Sequence, residues 1–152
     1  MSTEELKLDH QICFPVYAAS RLIIRQYQPY LDELNITYPQ YLVLLVLWEE
    51  EGISINRITE RLVLNTNTVT PLLKRMEKQG LIKRKKSKED QRKVLIYLTQ
   101  EGKDMEEQAV HIPRSLTEGL SSGDELNINE LIDMKEKLEQ LIEFLQEKES
   151  KD

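Results

Sequence analysis

Cysteine is almost absent. Cys13 is the single one in a chain of 152 residues. That excludes an internal disulfide framework and a Cys-rich zinc site. Two histidines, His10 and His111, are too few for a histidine metal cluster, so no metal and no cofactor are expected. Aromatic residues make up only 6% of the chain. There is no apolar run of the roughly 18 residues that a membrane helix needs. The opening MSTEELKLDH is polar and acidic and lacks the basic start and apolar stretch of a secretory signal. These absences predict a soluble, cytoplasmic protein with no membrane partner, whose lone thiol stays reduced. No Gly-rich phosphate loop and no Ser-His-Asp set is present, so no enzyme is expected.

What is present in abundance is charge, 32% of residues with a formal net charge of −6. An acidic balance argues against nucleic acid until its distribution is examined. Residues 74–93, KRMEKQGLIKRKKSKEDQRK, hold ten Lys or Arg against three Asp or Glu, a local +7. The remainder of the chain carries −13. A compact basic patch on an acidic body is the electrostatic footprint of a nucleic-acid reader.

Apolar periodicity places that patch. From about Leu6 to Leu34, apolar residues recur at helical spacing, with Pro15 in a first turn or at a kink and Pro29 at a kink or an end. Asn35-Ile36-Thr37 breaks the pattern. Thr37 is placed to cap a second helix, with Gln40 as its capping-box partner. The apolar run Tyr41 to Trp48 predicts that this helix is buried, and Gly52 follows it. A short helix after Ser54 and another opening at Asn65-Thr66-Asn67-Thr68 come next, with Val69, Leu72, Leu73 and Met76 facing inward. Gly80 closes the latter. Leu81 to Lys85 and Val94 to Leu98 read as two strands joined by a polar turn from Lys86 to Arg92. Thr99 caps the next helix, which Pro113 interrupts. Asn127 to Lys148 is a strongly amphipathic helix.

Two short helices followed by a basic hairpin have a physical use. The second helix of a helix-turn-helix enters the major groove with its N-terminal residues toward the bases. Taken alone, the Asn/Thr run is a plain cap and turn. Next to the basic hairpin, Asn65, Thr66, Asn67, Thr68 and Thr70 become candidate DNA contacts, with Lys74 and Arg75 further along for phosphate or guanine. In the hairpin the candidates are Arg84, Lys86, Asp90 and Arg92. Arg92 suits a narrow minor groove, and Asp90 is placed to hold its guanidinium.

The run Leu72-Leu73-Lys74-Arg75-Met76-Glu77-Lys78-Gln79-Gly80-Leu81-Ile82, then Asp90-Gln91-Arg92, then Leu98-Thr99-Gln100-Glu101-Gly102, resembles the MarR family of winged-helix bacterial regulators. Gln11 to Arg21 and Leu34 to Tyr41 are similar to the organic-hydroperoxide repressor branch of that family, in its one-cysteine form. The resemblance covers about Leu6 to Leu145. It implies a mainly α fold: a winged helix-turn-helix with a two-stranded β-hairpin wing and N- and C-terminal dimerisation helices. One domain over 1–152 is expected, with dimerisation helices at about 6–34 and 113–148 and the DNA-binding part at about 37–100. The resemblance also implies a homodimer on a pseudo-palindromic double-stranded DNA operator.

By the same resemblance Cys13 is the peroxide-reactive thiol, and Tyr27 and Tyr38 hydrogen-bond it, with Tyr17 nearby. Organic hydroperoxide is then the oxidant. The chain has no second thiol, so an external small-molecule thiol must form a mixed disulfide, or oxidation proceeds further. Geometry adds a constraint. Cys13 and Tyr27 are fourteen residues apart, about 21 Å along one helix, so a meeting requires Tyr27 of a second subunit. The alternative is a regulator of the same family released by a small phenolic or lipophilic ligand, with Cys13 passive. Two departures stand out. Asn65-Thr66-Asn67-Thr68 replaces the branch's usual acid, hydroxyl and glycine, and Gln91 replaces a more common acid in the wing.

Overall fold

The computed structural model describes residues 3–151. They divide into two compact units, one ending at Val110 and one starting at His111. The first unit opens with two 3-10 turns, Thr3–Leu6 and Leu8–His10. Then come α1 (Phe14–Glu33), α2 (Tyr38–Glu49), β1 (Ile53–Ser54), α3 (Ile55–Leu62), α4 (Thr66–Lys78), β2 (Ile82–Lys86), β3 (Val94–Leu98) and α5 (Gln100–Ala109).

The first helix does not start at Leu6 as its periodicity predicts. His10 Nδ1 lies 2.7 Å from the Glu4 carbonyl, and Gln11 Nε2 donates to the Glu5 and Lys7 carbonyls at 2.8 and 2.9 Å. These local bonds hold the preceding residues in tight turns, and helix begins only at Phe14, with Pro15 in the first turn. There Pro lacks only an N–H that would have no helical partner anyway. Pro29 lies inside α1 and does not end it.

Side-chain caps set most of the other boundaries. Thr37 and Gln40 form the full capping box at the start of α2. Ser54 caps α3, Asn65 caps α4 and Thr99 caps α5, each accepting a backbone N–H three residues on. Gly80, at φ +80°, follows α4 in the left-handed region that glycine adopts without steric cost.

Strand β1 is an addition to the predicted hairpin. The sheet has three antiparallel strands in the order β1-β3-β2, with Ile53 opposite Ile96 and Ile82 opposite Leu98. Helix α2 is buried as its composition predicts, through Tyr41, Val43, Leu44, Val46 and Leu47. Ile58, Val69, Leu73, Met76 and Ile96 are fully enclosed with it. Trp48 Nε1 donates to the Gly102 carbonyl at 2.9 Å. A Cβ on Gly102 would fall 2.3 Å from the Leu81 carbonyl oxygen. That glycine allows α5 to approach the start of the wing.

The second unit holds α6 (Ile112–Leu120), with Pro113 in its first turn, and α7 (Ile128–Glu149). Asn127 and Glu130 make a capping box for α7. No described residue of α7 is buried. No helix among the described residues is long and apolar enough to cross a membrane.

Candidate nucleic-acid interface and thiol site

Helix α4 buries Val69, Leu72, Leu73 and Met76, and this fixes which residues face outward. Thr66, Asn67, Thr68, Lys74 and Arg75 are exposed, and Thr70 is half-buried. Asn65 Oδ1 accepts from the Thr68 backbone at 3.0 Å and from the Thr68 hydroxyl at 3.1 Å. A cleft of about 310 Å³ brings Ser54 and Asn56 of the α3 start together with Thr66, Arg92 and Lys93. The helix-turn-helix and the wing base therefore share one surface.

In the wing turn, Asp90 Oδ1 accepts from the Arg92 backbone at 3.1 Å and from Arg92 Nε at 3.3 Å. The Arg92 side chain is nonetheless 93% exposed. It is aimed by its acid while remaining open to solvent. Lys86, at the end of β2, is exposed.

Arg84 is placed differently. Its guanidinium makes a two-pronged pair with Glu77 of α4, Nε to Oε2 at 3.2 Å and Nη2 to Oε1 at 3.1 Å. These hydrogen bonds hold the Glu77 carboxyl below the usual carboxylate range, against a smaller opposing effect of desolvation. Glu77 carried no functional signal in the sequence. It stands seven residues before Arg84, across a helix end and a turn, so only the fold brings the two together.

Cys13 lies at the N-cap of α1 and is exposed. Tyr17, one turn on, is exposed, with the Arg21 guanidinium 4.6 Å from its ring centre. Tyr27 meets Tyr38 with ring centres 4.9 Å apart, and Tyr41 lies 5.8 Å from Tyr27. Burial, reinforced by Tyr38 and Tyr41, pushes the Tyr27 hydroxyl up to about 12, and burial also raises Tyr38. A phenol holds its proton at neutral pH in any case, and burial extends that donor capacity to higher pH for both rings. Tyr41 was read from the sequence only as a core residue. The structure makes it the third ring of this cluster. Because α1 is continuous from Phe14 to Glu33, Cys13 stays about 21 Å of helix rise from Tyr27 of its own chain.

Residues 25–108 match the family described as transcriptional regulator SarA/Rot. The organic hydroperoxide resistance transcriptional regulator of Bacillus subtilis (strain 168) is 50% identical over 147 residues, spanning 95% of this chain and 96% of that one. The chain belongs to the MarR family of winged-helix transcriptional regulators. Among solved structures, reduced AbfR bound to DNA, a protein of Staphylococcus epidermidis, superposes with a TM-score of 0.75 at 38% identity. It covers 95% of this chain and 99% of that chain. Overoxidized AbfR bound to DNA gives 0.74 at 37% identity, with the same coverage.

This MarR-family chain is accordingly a DNA-binding regulator of transcription and not an enzyme. Its β2–β3 hairpin is the wing of the winged-helix fold, with β1 added to the sheet. The motif Leu98-Thr99-Gln100-Glu101-Gly102 has a physical basis in this MarR fold. The Thr99 hydroxyl lies 2.6 Å from the Gly80 carbonyl and accepts the Gly102 N–H at 3.1 Å. It ties the end of α4 to the start of α5.

Proposed function

We propose that the chain is a cytoplasmic repressor that works as a homodimer on a pseudo-palindromic operator and senses organic hydroperoxide through Cys13. The whole chain acts as one MarR-type unit. The observation that carries this reading is the exposed single thiol at the start of α1, with two protonated phenols, Tyr27 and Tyr38, packed together far along the same helix. A helix of fixed length keeps them apart within one chain. A two-fold axis crossing α1 near Ser20 brings each Cys13 to the partner's Tyr27 and makes both sites at once. The small residues Ala18 and Ala19 permit that approach. Apolar side chains left uncovered on α1 and α7, among them Val16, Leu22, Leu138, Leu141 and Leu145, supply the surface that such a dimer buries.

In this scheme the thiolate form of Cys13 attacks the O–O bond of the hydroperoxide. Sulfur gains one oxygen, giving a sulfenic acid, and the other oxygen leaves with its organic group as an alcohol. A small-molecule thiol then condenses with the sulfenic acid, releasing water and leaving a mixed disulfide. That bulky adduct disturbs the interface between subunits and re-angles the two wings, and the operator is released. The names of the Bacillus relative and of the reduced, DNA-bound neighbour agree with this reading.

A gel shift on the native upstream DNA tests it, with an organic hydroperoxide and a small thiol added to wild type and to Cys13→Ser. Wild type is expected to leave the DNA, and the variant to stay bound. A variant that still dissociates would place the signal elsewhere, as release by a phenolic or lipophilic ligand requires.

A further inference from the structure

Of the ten cations in residues 74–93, only Arg84 and Arg92 form ion pairs among the described residues. The two pairs do opposite things. Asp90 leaves Arg92 almost fully exposed, whereas Glu77 holds an Arg84 side chain that is only 29% exposed. Lys74, Arg75, Lys78, Lys83 and Lys86 remain open for phosphate.

The Glu77 carboxylate has a further partner. Strand β2 is an edge of the sheet, paired only with β3. The Arg84 backbone N–H lies on the unpaired side and donates to Glu77 Oε2 at 3.2 Å. One carboxylate therefore takes three donors from one residue, and does at that strand edge what a neighbouring strand's carbonyl would do. It joins the last turn of α4 to the middle of the first wing strand. The relative placement of helix and wing decides whether both reach their grooves together.

We propose that Glu77 is a positioning residue of the DNA interface: it sets the wing against α4 and withholds Arg84 from phosphate, favouring sequence discrimination over general affinity. The proposal rests on the DNA-binding reading of α4 and the wing. A two-pronged guanidinium pair fixes direction as well as distance. A free Arg84 on the wing would instead add a counterion-releasing contact that every sequence satisfies equally.

The test measures fluorescence anisotropy on two duplexes over a range of salt. One is selected by the wild-type protein from a random-sequence pool, and the other is its scrambled version. Glu77→Gln is expected to weaken binding to the selected duplex about tenfold. The same change should tighten binding to the scrambled duplex and steepen its salt slope by about 0.9. Glu89→Gln, which removes the same charge from the wing turn without touching the pair, should shift both duplexes alike and leave their ratio unchanged. Adding Arg84→Gln to Glu77→Gln should return the scrambled duplex to wild-type affinity. Glu77→Asp keeps the charge but loses reach, and should lose discrimination with a smaller steepening of the slope than Glu77→Gln. Equal weakening on both duplexes by Glu77→Gln, or an unchanged ratio, would reduce Glu77 to a structural residue. A wild-type protein that enriches no sequence from the pool overturns both the DNA reading and this one.

Discussion

The region from α2 to β3 and the C-terminal helix α7 are built on opposite terms. The first closes on itself: Leu44, Ile58, Leu73, Met76 and Ile96 are enclosed, its helices are capped by their own side chains, and no buried side-chain polar atom among the described residues lacks a partner. Helix α7 is equally well capped, yet it buries nothing, and Met134, Leu138, Leu141, Phe144 and Leu145 stand open. Local signals are sound in both regions. What differs is whether the chain itself supplies the surface that an apolar face needs. Helix α1 contains both situations, with Leu22 near its middle 54% exposed and Leu31 near its end 1% exposed.

Substitutions can break this comparison. The largest effect is expected at Leu73→Ala, which should cost about 3 kcal/mol in denaturant unfolding, independent of protein concentration. Gly102→Ala should cost about 2 kcal/mol, because the backbone at Leu81 must retreat from the new methyl. In the proposed dimer, Leu141→Ala should cost about 1 kcal/mol per chain, visible as weaker association in sedimentation equilibrium and as a steeper dependence of Tm on concentration. A concentration-independent loss as large as that of Leu73→Ala would mean that α7 has a core of its own. The smallest effect lies where α1 passes from open to packed. A Tyr27 pushed up to about 12 holds its proton in the folded state after the unfolded chain has released it near 10. Stability from that group is therefore complete below pH 10 and is lost as pH rises toward 12. Ultraviolet titration of tyrosinate should show Tyr27 titrating last, after the also-raised Tyr38 and Tyr41, and Tyr27→Phe should remove that final step.

The legible parts of the fold were those decided within a few residues. Thr37 with Gln40, Asn65, Thr99 and Gly80 each announced a boundary that the structure has. Strand β1 was not legible, because two residues become a strand only by pairing with Ile96 and Leu95. The first helix was over-extended because Ile12 continues an apolar period that the backbone abandons for bonds from His10 and Gln11. At the candidate site, the wing pair Asp90 and Arg92 was visible at a spacing of two residues. Arg84 reads from the sequence as a candidate DNA contact, but its pairing with Glu77 was not legible, since composition counts a cation without showing its partner.

The Asn65 side chain is fully committed on its oxygen side. Both hydrogens that its Oδ1 accepts come from Thr68, so that oxygen has no lone pair to spare and the Thr68 hydroxyl has no proton to spare. The first turn of α4 is thereby sorted by hydrogen-bond polarity. Asn65 presents only the hydrogens of its amide, matched to guanine O6 and N7, thymine O4 or phosphate. Thr68 presents only lone pairs, matched to the amino groups of adenine or cytosine. The first turn of α4 thus carries its free donors and its free acceptors on separate residues.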